Sequence, residues 1–242
     1  MKVLIYTKQK CATTLQRRIY KSIALTTDFK FLDFAGEFWK NIELSEKYNL
    51  DYNQPLTKYK FSTERNYLIG PLVKQAHLDE SESFYKIITI RNPVEMIISE
   101  YVSFGFSHQL PKGGTALDNF IKRRNYIQQT DINQYALERL EEYKEYFEWL
   151  VKEINPKTLI LPFERLIINK KESLSEILKH LKKPNYIIPI LKVLIWIAEK
   201  KAKNIKNHKN YRLKFADSLT LNSETEKLIL NELNKYTQLW KS

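Results

Sequence analysis

The chain of 242 residues is poor in cysteine and glycine and has no long apolar run. Its single cysteine, Cys11, excludes an internal disulfide and is typical of a protein that works in the reducing cytoplasm. Apolar runs all fall short of the roughly 18 residues that a membrane-spanning helix needs, so we expect no transmembrane segment. The run Val3–Tyr6 near the N-terminus is also too short for the core of a secretion signal.

Acidic residues are fewer than basic ones, 28 against 40, and the formal net charge is +12. This charge favours anionic ligands and is compatible with nucleic acid or an anionic membrane surface. Only 9 of the basic residues are Arg, however, and Lys, Ile and Asn are all abundant, which indicates a coding bias. We therefore expect no nucleic-acid partner, and the sequence leaves the oligomeric state open.

Short apolar runs alternate with segments of helical periodicity, which predicts an α/β fold with a central parallel sheet flanked by helices. Strands are predicted at 2–6, 29–34, 67–69, 85–90 and 158–161. Helices are predicted at 13–25, from Pro93, at 132–154, 173–181 and 186–203, and from a cap at Ser223. We expect Gly70-Pro71 to end the third strand and residues 107–115 to form a mobile loop.

A first candidate anion site follows the first strand, where Lys10, Thr13 and Thr14 precede or open a helix. Backbone N–H groups at a helix N-terminus, with a Lys and two hydroxyls beside them, suit a phosphate or sulfonate group. The pattern GxxxxGK[ST] of common nucleotide-binding loops is absent, since no Gly lies in this loop. The alternative is an ordinary capped helix next to a solvated Lys.

A second candidate anion site follows the strand 85–90, where Arg91 and Ser99 flank the start of a helix. An Arg at the carboxyl end of a buried strand points into the crevice where α/β proteins bind ligands, and Arg with a hydroxyl suits a phosphate monoester. The alternative is a structural salt bridge from Arg91 to Glu95 or another acid. Two such sites in one sheet can hold a ligand with two separated phosphates.

The two segments together resemble the motifs of the sulfotransferases that use 3′-phosphoadenosine 5′-phosphosulfate (PAPS). The first motif of that family, roughly PKSGTT, is similar to residues 9–14, and the second, roughly RNPxDxxxSxY, is similar to residues 91–101 with the same spacing from Arg to Ser. Gln9 and Ala12 stand where the family carries Pro and Gly, and the Cβ of Ala12 restricts close backbone approach if that residue has positive φ.

This resemblance implies a P-loop-like fold, a single sulfotransferase domain over residues 1–242, and sulfuryl transfer from PAPS that leaves 3′,5′-ADP and needs no metal. Lys10 would stabilise the leaving 5′-phosphate, Arg91 and Ser99 would bind the 3′-phosphate, and a basic C-terminal loop would close on it. The residues assigned to PAPS in this way are Lys10, Cys11, Ala12, Thr13, Thr14, Leu15, Arg91, Ser99, Lys209 and Arg212.

The resemblance leaves two candidates for the general base that an acceptor hydroxyl needs. His77 lies in a segment similar to the K-T-H-L segment of the family, and Glu37 lies where some carbohydrate and protein sulfotransferases use a Glu. The acceptor is expected to be a hydroxyl or amine of a small molecule or carbohydrate, which the sequence does not identify.

Two other functions remain open from the residues alone. One is a P-loop-like kinase for a nucleoside or small molecule, which the missing nucleotide-loop pattern disfavours. The other is a non-catalytic basic protein that binds nucleic acid or a membrane surface. The apolar stretch 187–198, followed by several Lys residues, is expected to be a core helix, with peripheral membrane contact as the alternative.

Overall fold

The computed structural model describes residues 1–33, 64–72, 83–111, 113–203 and 219–241. The strands are β1 (Lys2–Thr7), β2 (Phe29–Asp33), β3 (Asn66–Leu72), β4 (Tyr85–Ile90) and β5 (Thr158–Pro162). The α-helices are α1 (Thr13–Thr26), α2 (Pro93–Val102), α3 (Gly114–Gln129), α4 (Ile132–Glu153), α5 (Phe163–Ile168), α6 (Lys170–His180), α7 (Ile188–Lys203), α8 (Ser223–Glu232) and α9 (Gln238–Lys241). A π-helix, Ser103–Ser107, continues α2, and 3₁₀ turns lie at Asn185–Ile187 and Asn234–Tyr236.

The five strands form one parallel sheet in the order β2-β3-β1-β4-β5. Because β1 and β4 are neighbours and run in the same direction, their carboxyl ends lie side by side at one edge of the sheet. The two loops that the sequence singled out therefore start next to each other. The predicted fold class, a parallel sheet flanked by helices, is confirmed.

Alternation along β1 divides the core between the two faces of the sheet. Val3 and Ile5 pack towards α1, α6 and α7, while Leu4 and Tyr6 pack towards α2, α4 and α8. All four side chains are completely buried. The edge of the sheet where β1 and β4 end is thus positioned by a strand that is buried on both faces, as expected for the middle of a parallel sheet.

The prediction that Gly70-Pro71 ends the third strand is wrong, since β3 continues to Leu72. Gly70 lies so close to β1 that a Cβ there would come within 2.5 Å of the carbonyl oxygen of Ile5, and its φ of +139° also favours glycine. The register between β1 and β3 shifts at this point. The glycine therefore marks a close approach of two strands inside the sheet and not a turn.

Other predictions also need correction. The predicted loop 107–115 is too long, since α3 begins at Gly114. Asn222, not Ser223, caps α8, and its side-chain oxygen accepts from the backbone N–H of Thr225 at 2.8 Å. The apolar stretch 187–198 is buried on one face only, because α7 also carries large apolar side chains that are exposed. Within the described ranges, no helix is long and apolar enough to cross a membrane.

Candidate functional site

The loop between β1 and α1 turns through two residues with left-handed backbone angles, Lys10 (φ +72°) and Ala12 (φ +56°). Between them, Cys11 is fully buried with its Sγ 2.9 Å from the Sδ of Met96. Burial raises the pKa of the Cys11 thiol to about 12, so the thiol stays protonated at neutral pH. Any contact of Cys11 with a ligand in this loop therefore involves its backbone.

The first turn of α1 has no capping side chain within the described part of the chain. Ala12 occupies the cap position, and its carbonyl accepts from the N–H of Gln16 at 2.9 Å. Thr13 is half-buried and Thr14 is exposed in this turn, while Leu15 packs against the core. The alternative of an ordinary capped helix is not what the structure shows, and these N–H groups and hydroxyls suit an anion.

Gln16 holds the loop in place from inside the protein. Its buried side-chain amide donates to the hydroxyl of Thr7 at 3.0 Å and to the carbonyl of Cys11 at 2.7 Å. Sequence reasoning gave Gln16 no role. The available signal was a polar residue on the inward face of α1, one turn before the buried Ile19 and Tyr20.

The side chain of Lys10 reaches the π-helix that follows α2. Its Nζ donates to the hydroxyl of Ser103 at 2.5 Å and lies 4.6 Å from the ring centroid of Phe104. The Ser103 hydroxyl is also 3.4 Å from Nδ1 of His108, whose ring stacks on Phe120. Lys10 is therefore not simply solvated. π-Helical turns are frequent at functional sites, and this one was not visible in the sequence.

Arg91 joins the second segment to the first. It is 8% exposed, and one guanidinium N–H donates to the carbonyl of Lys10 at 3.3 Å. Another donates to the Glu95 carboxylate at 2.9 Å, and Nε lies 4.0 Å from the carboxylate of Glu164. The ion pair with Glu95, which was the structural alternative to an anion site, is thus present, and Arg91 also contacts the first loop. Ser99 is half-buried one turn beyond Glu95 on α2.

A cavity of about 700 Å³ opens beside the loop between β1 and α1, and it is lined by residues of α2, α3 and α4. At its inner wall lies Glu100, which is 2% exposed and forms ion pairs with Arg123 (2.7 Å) and Arg139 (3.2 Å). Tyr135 and Tyr143 donate hydrogen bonds to the same carboxylate at 2.9 and 3.1 Å. Burial and this carboxylate raise the pKa of both phenols, so they remain protonated donors.

Lys8 and Gln9 connect this cavity to the loop, since both line its wall. The Nζ of Lys8 pairs with Glu142 at 2.6 Å and lies 4.9 Å from the ring centroid of Tyr146. The cavity wall is therefore polar and aromatic. It has the size of a small-ligand pocket.

Four sequence-predicted residues cannot be placed. His77 and Glu37, the candidates for the general base, lie outside the described residues, and so do Lys209 and Arg212. Of the remaining predictions, the structure brings Lys10 and Arg91 together at one edge of the sheet, where Arg91 donates to the backbone carbonyl of Lys10. Sequence reasoning missed Ser103 as a partner of Lys10 and Glu164 as a partner of Arg91.

Comparisons with known proteins bear on the fold and on the family of the chain. The chain shares its fold with a retinol dehydratase solved with androsterone and the inactive cofactor PAP (TM-score 0.51, 14% identity, covering 97% of this chain and 80% of that one). A mouse sulfotransferase, SULT7A1, solved with PAP, was also found (TM-score 0.49, 14% identity, covering 98% and 88%). No curated protein sequence is significantly similar. The sequence model described as "Sulfotransferase domain" matches residues 1–228, and the chain therefore belongs to the sulfotransferase domain family.

Proposed function

We propose that the chain transfers a sulfuryl group from PAPS to a hydroxyl or amine of a small-molecule or carbohydrate acceptor, and that residues 1–242 act as one domain. The observation that carries this proposal is the hydrogen bond from Arg91 to the carbonyl of Lys10, which joins two cationic segments at the uncapped start of α1. Two cations at one site fit a nucleotide with a 5′ and a 3′ phosphate. The single, buried cysteine supports the cytoplasm as the place of the reaction.

The described residues at this edge suit the two anionic ends of PAPS. Lys10 and the first turn of α1 would hold the 5′-phosphosulfate, and Arg91 with Ser99 would hold the 3′-phosphate. Lys209 and Arg212 remain the proposed basic residues of the closing loop. The bound nucleotide would supply an activated sulfuryl group. The product expected here is 3′,5′-ADP, which is the PAP present in the retinol dehydratase structure.

Lys10 would stabilise the 5′-phosphate as it leaves the sulfuryl group. PAPS would supply a sulfuryl group whose transfer to the acceptor leaves negative charge on the 5′-phosphate oxygen that had carried it. The ammonium of Lys10 and the N–H groups of α1 would stabilise this charge. The Ser103 hydroxyl and the Phe104 ring hold Lys10 beside the loop, so the protein itself positions this charge.

The acceptor would enter from the cavity beside Gln9 and give up its proton to a general base. His77 and Glu37 remain candidates for that base. We add His108, because its Nδ1 is 3.4 Å from the hydroxyl that accepts from Lys10. Asn replacements of the two His residues and Gln replacement of Glu37 separate the candidates, since loss of the base removes the acidic limb of the pH profile of kcat.

Thermal stability with 3′,5′-ADP, compared with 5′-ADP and ATP–Mg²⁺, tests the proposal. A ligand at about 100 times its Kd stabilises by about 2.7 kcal/mol, which raises Tm by about 5–11 °C for a chain of this size. We expect this shift with 3′,5′-ADP only, and its loss in Lys10→Ala and Arg91→Ala. Lys144→Ala removes the same charge at a distant ion pair with Glu232 and should retain the shift.

Other results of the thermal-stability test would favour the kinase or the non-catalytic binding protein. A shift with ATP–Mg²⁺ alone would favour a kinase over a sulfotransferase. No shift with any nucleotide would mean that Gln9 and Ala12 have abolished nucleotide binding, and a non-catalytic binding protein would become the leading function.

A further inference from the structure

Helix α7 is apolar on two opposite faces. Leu191 and Ile195 on the inner face are buried in the cluster that α1 and α6 also form. Ile190, Val193 and Trp196 on the outer face are 52%, 55% and 58% exposed. Monomeric soluble proteins rarely expose several large apolar side chains side by side, so this outer face needs an explanation that core packing does not supply.

The exposed side chains continue beyond these three in one row. Tyr186 in the preceding 3₁₀ turn is 79% exposed, and Ile197 is 38% exposed. Steps of three or four residues separate Tyr186, Ile190, Val193 and Trp196, which places them along one side of the helix. The row is about 16 Å long at 1.5 Å per residue. It has an aromatic residue near each end and aliphatic residues between them.

Lysines border this row. Lys192 is exposed next to Val193, and Lys200 lies one turn beyond Trp196 with its Nζ 5.1 Å from the centroid of the Trp ring. Glu199, the one acid among the described side chains of α7, is already paired with Lys170 at 3.2 Å. The face is thus apolar at its centre and positive at its border, on a chain with a net charge of +12.

We propose that this outer face of α7 binds the surface of an anionic lipid bilayer. Ile190 and Val193 would enter the boundary between headgroups and acyl chains, and Tyr186 and Trp196 would lie at headgroup level. Lys192 and Lys200 would meet the negative headgroups. The cavity beside the loop is lined from α2, α3 and α4, on the opposite face of the sheet from α7, so the bound protein keeps its acceptor cavity uncovered.

Electrostatics favours an anionic bilayer over a second copy of the chain as the partner of this outer face. A dimer through this face would bring the lysine borders of two molecules of net charge +12 against each other, which is unfavourable. An anionic bilayer satisfies both the apolar row and its positive border. The proposal does not depend on the proposed sulfuryl transfer.

Vesicle flotation with the full chain tests the proposal. We expect binding to vesicles of phosphatidylcholine with about 30% phosphatidylglycerol, little binding to phosphatidylcholine alone, and release by added salt. The double variant Val193→Ser/Trp196→Ser should bind at least tenfold more weakly, and Lys192→Gln about fivefold more weakly, from about 1 kcal/mol per Lys near such a surface. Leu228→Ser changes a 45% exposed residue on α8, across the sheet, and should bind like the wild type.

Two results would overturn the proposal. One is a wild-type chain that stays unbound with anionic vesicles. The other is a double variant that binds them as tightly as the wild type. If sedimentation shows a wild-type dimer that the double variant converts to monomer, without vesicle binding, the face is a protein interface. Because all substituted side chains are exposed, unchanged Tm values confirm that the variants fold, and 3′,5′-ADP binding reports the nucleotide site separately.

Discussion

Replacing Ala12 with glycine is expected to stabilise the protein, although glycine normally weakens a helix. Ala12 has φ +56° and ψ +33° at the cap position of α1. A residue with a Cβ loses about 1–2 kcal/mol in this left-handed region. Glycine avoids that cost but makes the unfolded chain more flexible, at about 0.5–1 kcal/mol. The difference leaves an expected gain of about 0.5–1 kcal/mol in the free energy of unfolding.

The same substitution near the other end of α1, Ala24→Gly, supplies the control. Ala24 lies inside α1 with ordinary helical geometry, so Ala24→Gly should lose about 1 kcal/mol. Urea unfolding followed by circular dichroism gives both free energies, and thermal unfolding should raise Tm by about 1–4 °C for Ala12→Gly and lower it by about 2–4 °C for Ala24→Gly. The two variants therefore differ in sign and not only in size.

A loss of stability in Ala12→Gly as large as that in Ala24→Gly would refute this reasoning. It would mean that residue 12 does not have a left-handed backbone in the native protein. The loop would then present its N–H groups in another direction, and the argument for an anion site at the start of α1 would fail with it.

Three further predictions concern individual residues, namely Glu95, Cys11 and His180. Glu95→Gln should tighten 3′,5′-ADP binding about two- to fivefold by calorimetry, because a carboxylate 2.9 Å from Arg91 no longer competes with the phosphate; weaker binding would contradict this. Cys11 should resist thiol reagents at pH 8 until the protein unfolds, because its pKa is raised to about 12; rapid labelling of native protein is the opposing result. Stability should fall between pH 7.5 and 5.5 more steeply in wild type than in His180→Gln. Burial lowers the pKa of His180, so the unfolded chain binds a proton that the native chain does not; equal slopes would contradict this.

Local patterns predicted most of the sheet, and the one clear failure came from a contact between distant residues. The run Tyr85–Ile90 was predicted with the bounds that the structure has, because Ile87, Ile88 and Ile90 form the dense apolar pattern of a buried parallel strand. Gly70 was misread as a turn residue, because its reason for being glycine is the carbonyl of Ile5, more than sixty positions earlier. A sequence shows the glycine but not the strand that it lies against.

The cations of the candidate site were readable, and so was Glu95 as a partner of Arg91, but Ser103 and Glu164 were not. Lys10 and Arg91 stand at predicted strand ends, where position along the chain and chemistry point to the same edge of the sheet. Ser103 reaches Lys10 only because a π-helix continues α2, and Glu164 reaches Arg91 only because β5 pairs with β4. Both contacts depend on the assembled sheet, so no local pattern predicts them.

The ion pair of Arg91 does not argue against a bound phosphate. A guanidinium that is only 8% exposed needs negative charge beside it even when no ligand is present, because an unpaired buried charge is costly. The Glu95 side chain is 57% exposed and can turn into water, while the more distant Glu164 and the Phe163 ring, 4.5 Å away, keep the guanidinium oriented. In the proposed complex, a phosphate would replace the Glu95 carboxylate at Arg91, and an exposed ion pair of this kind breaks at little cost.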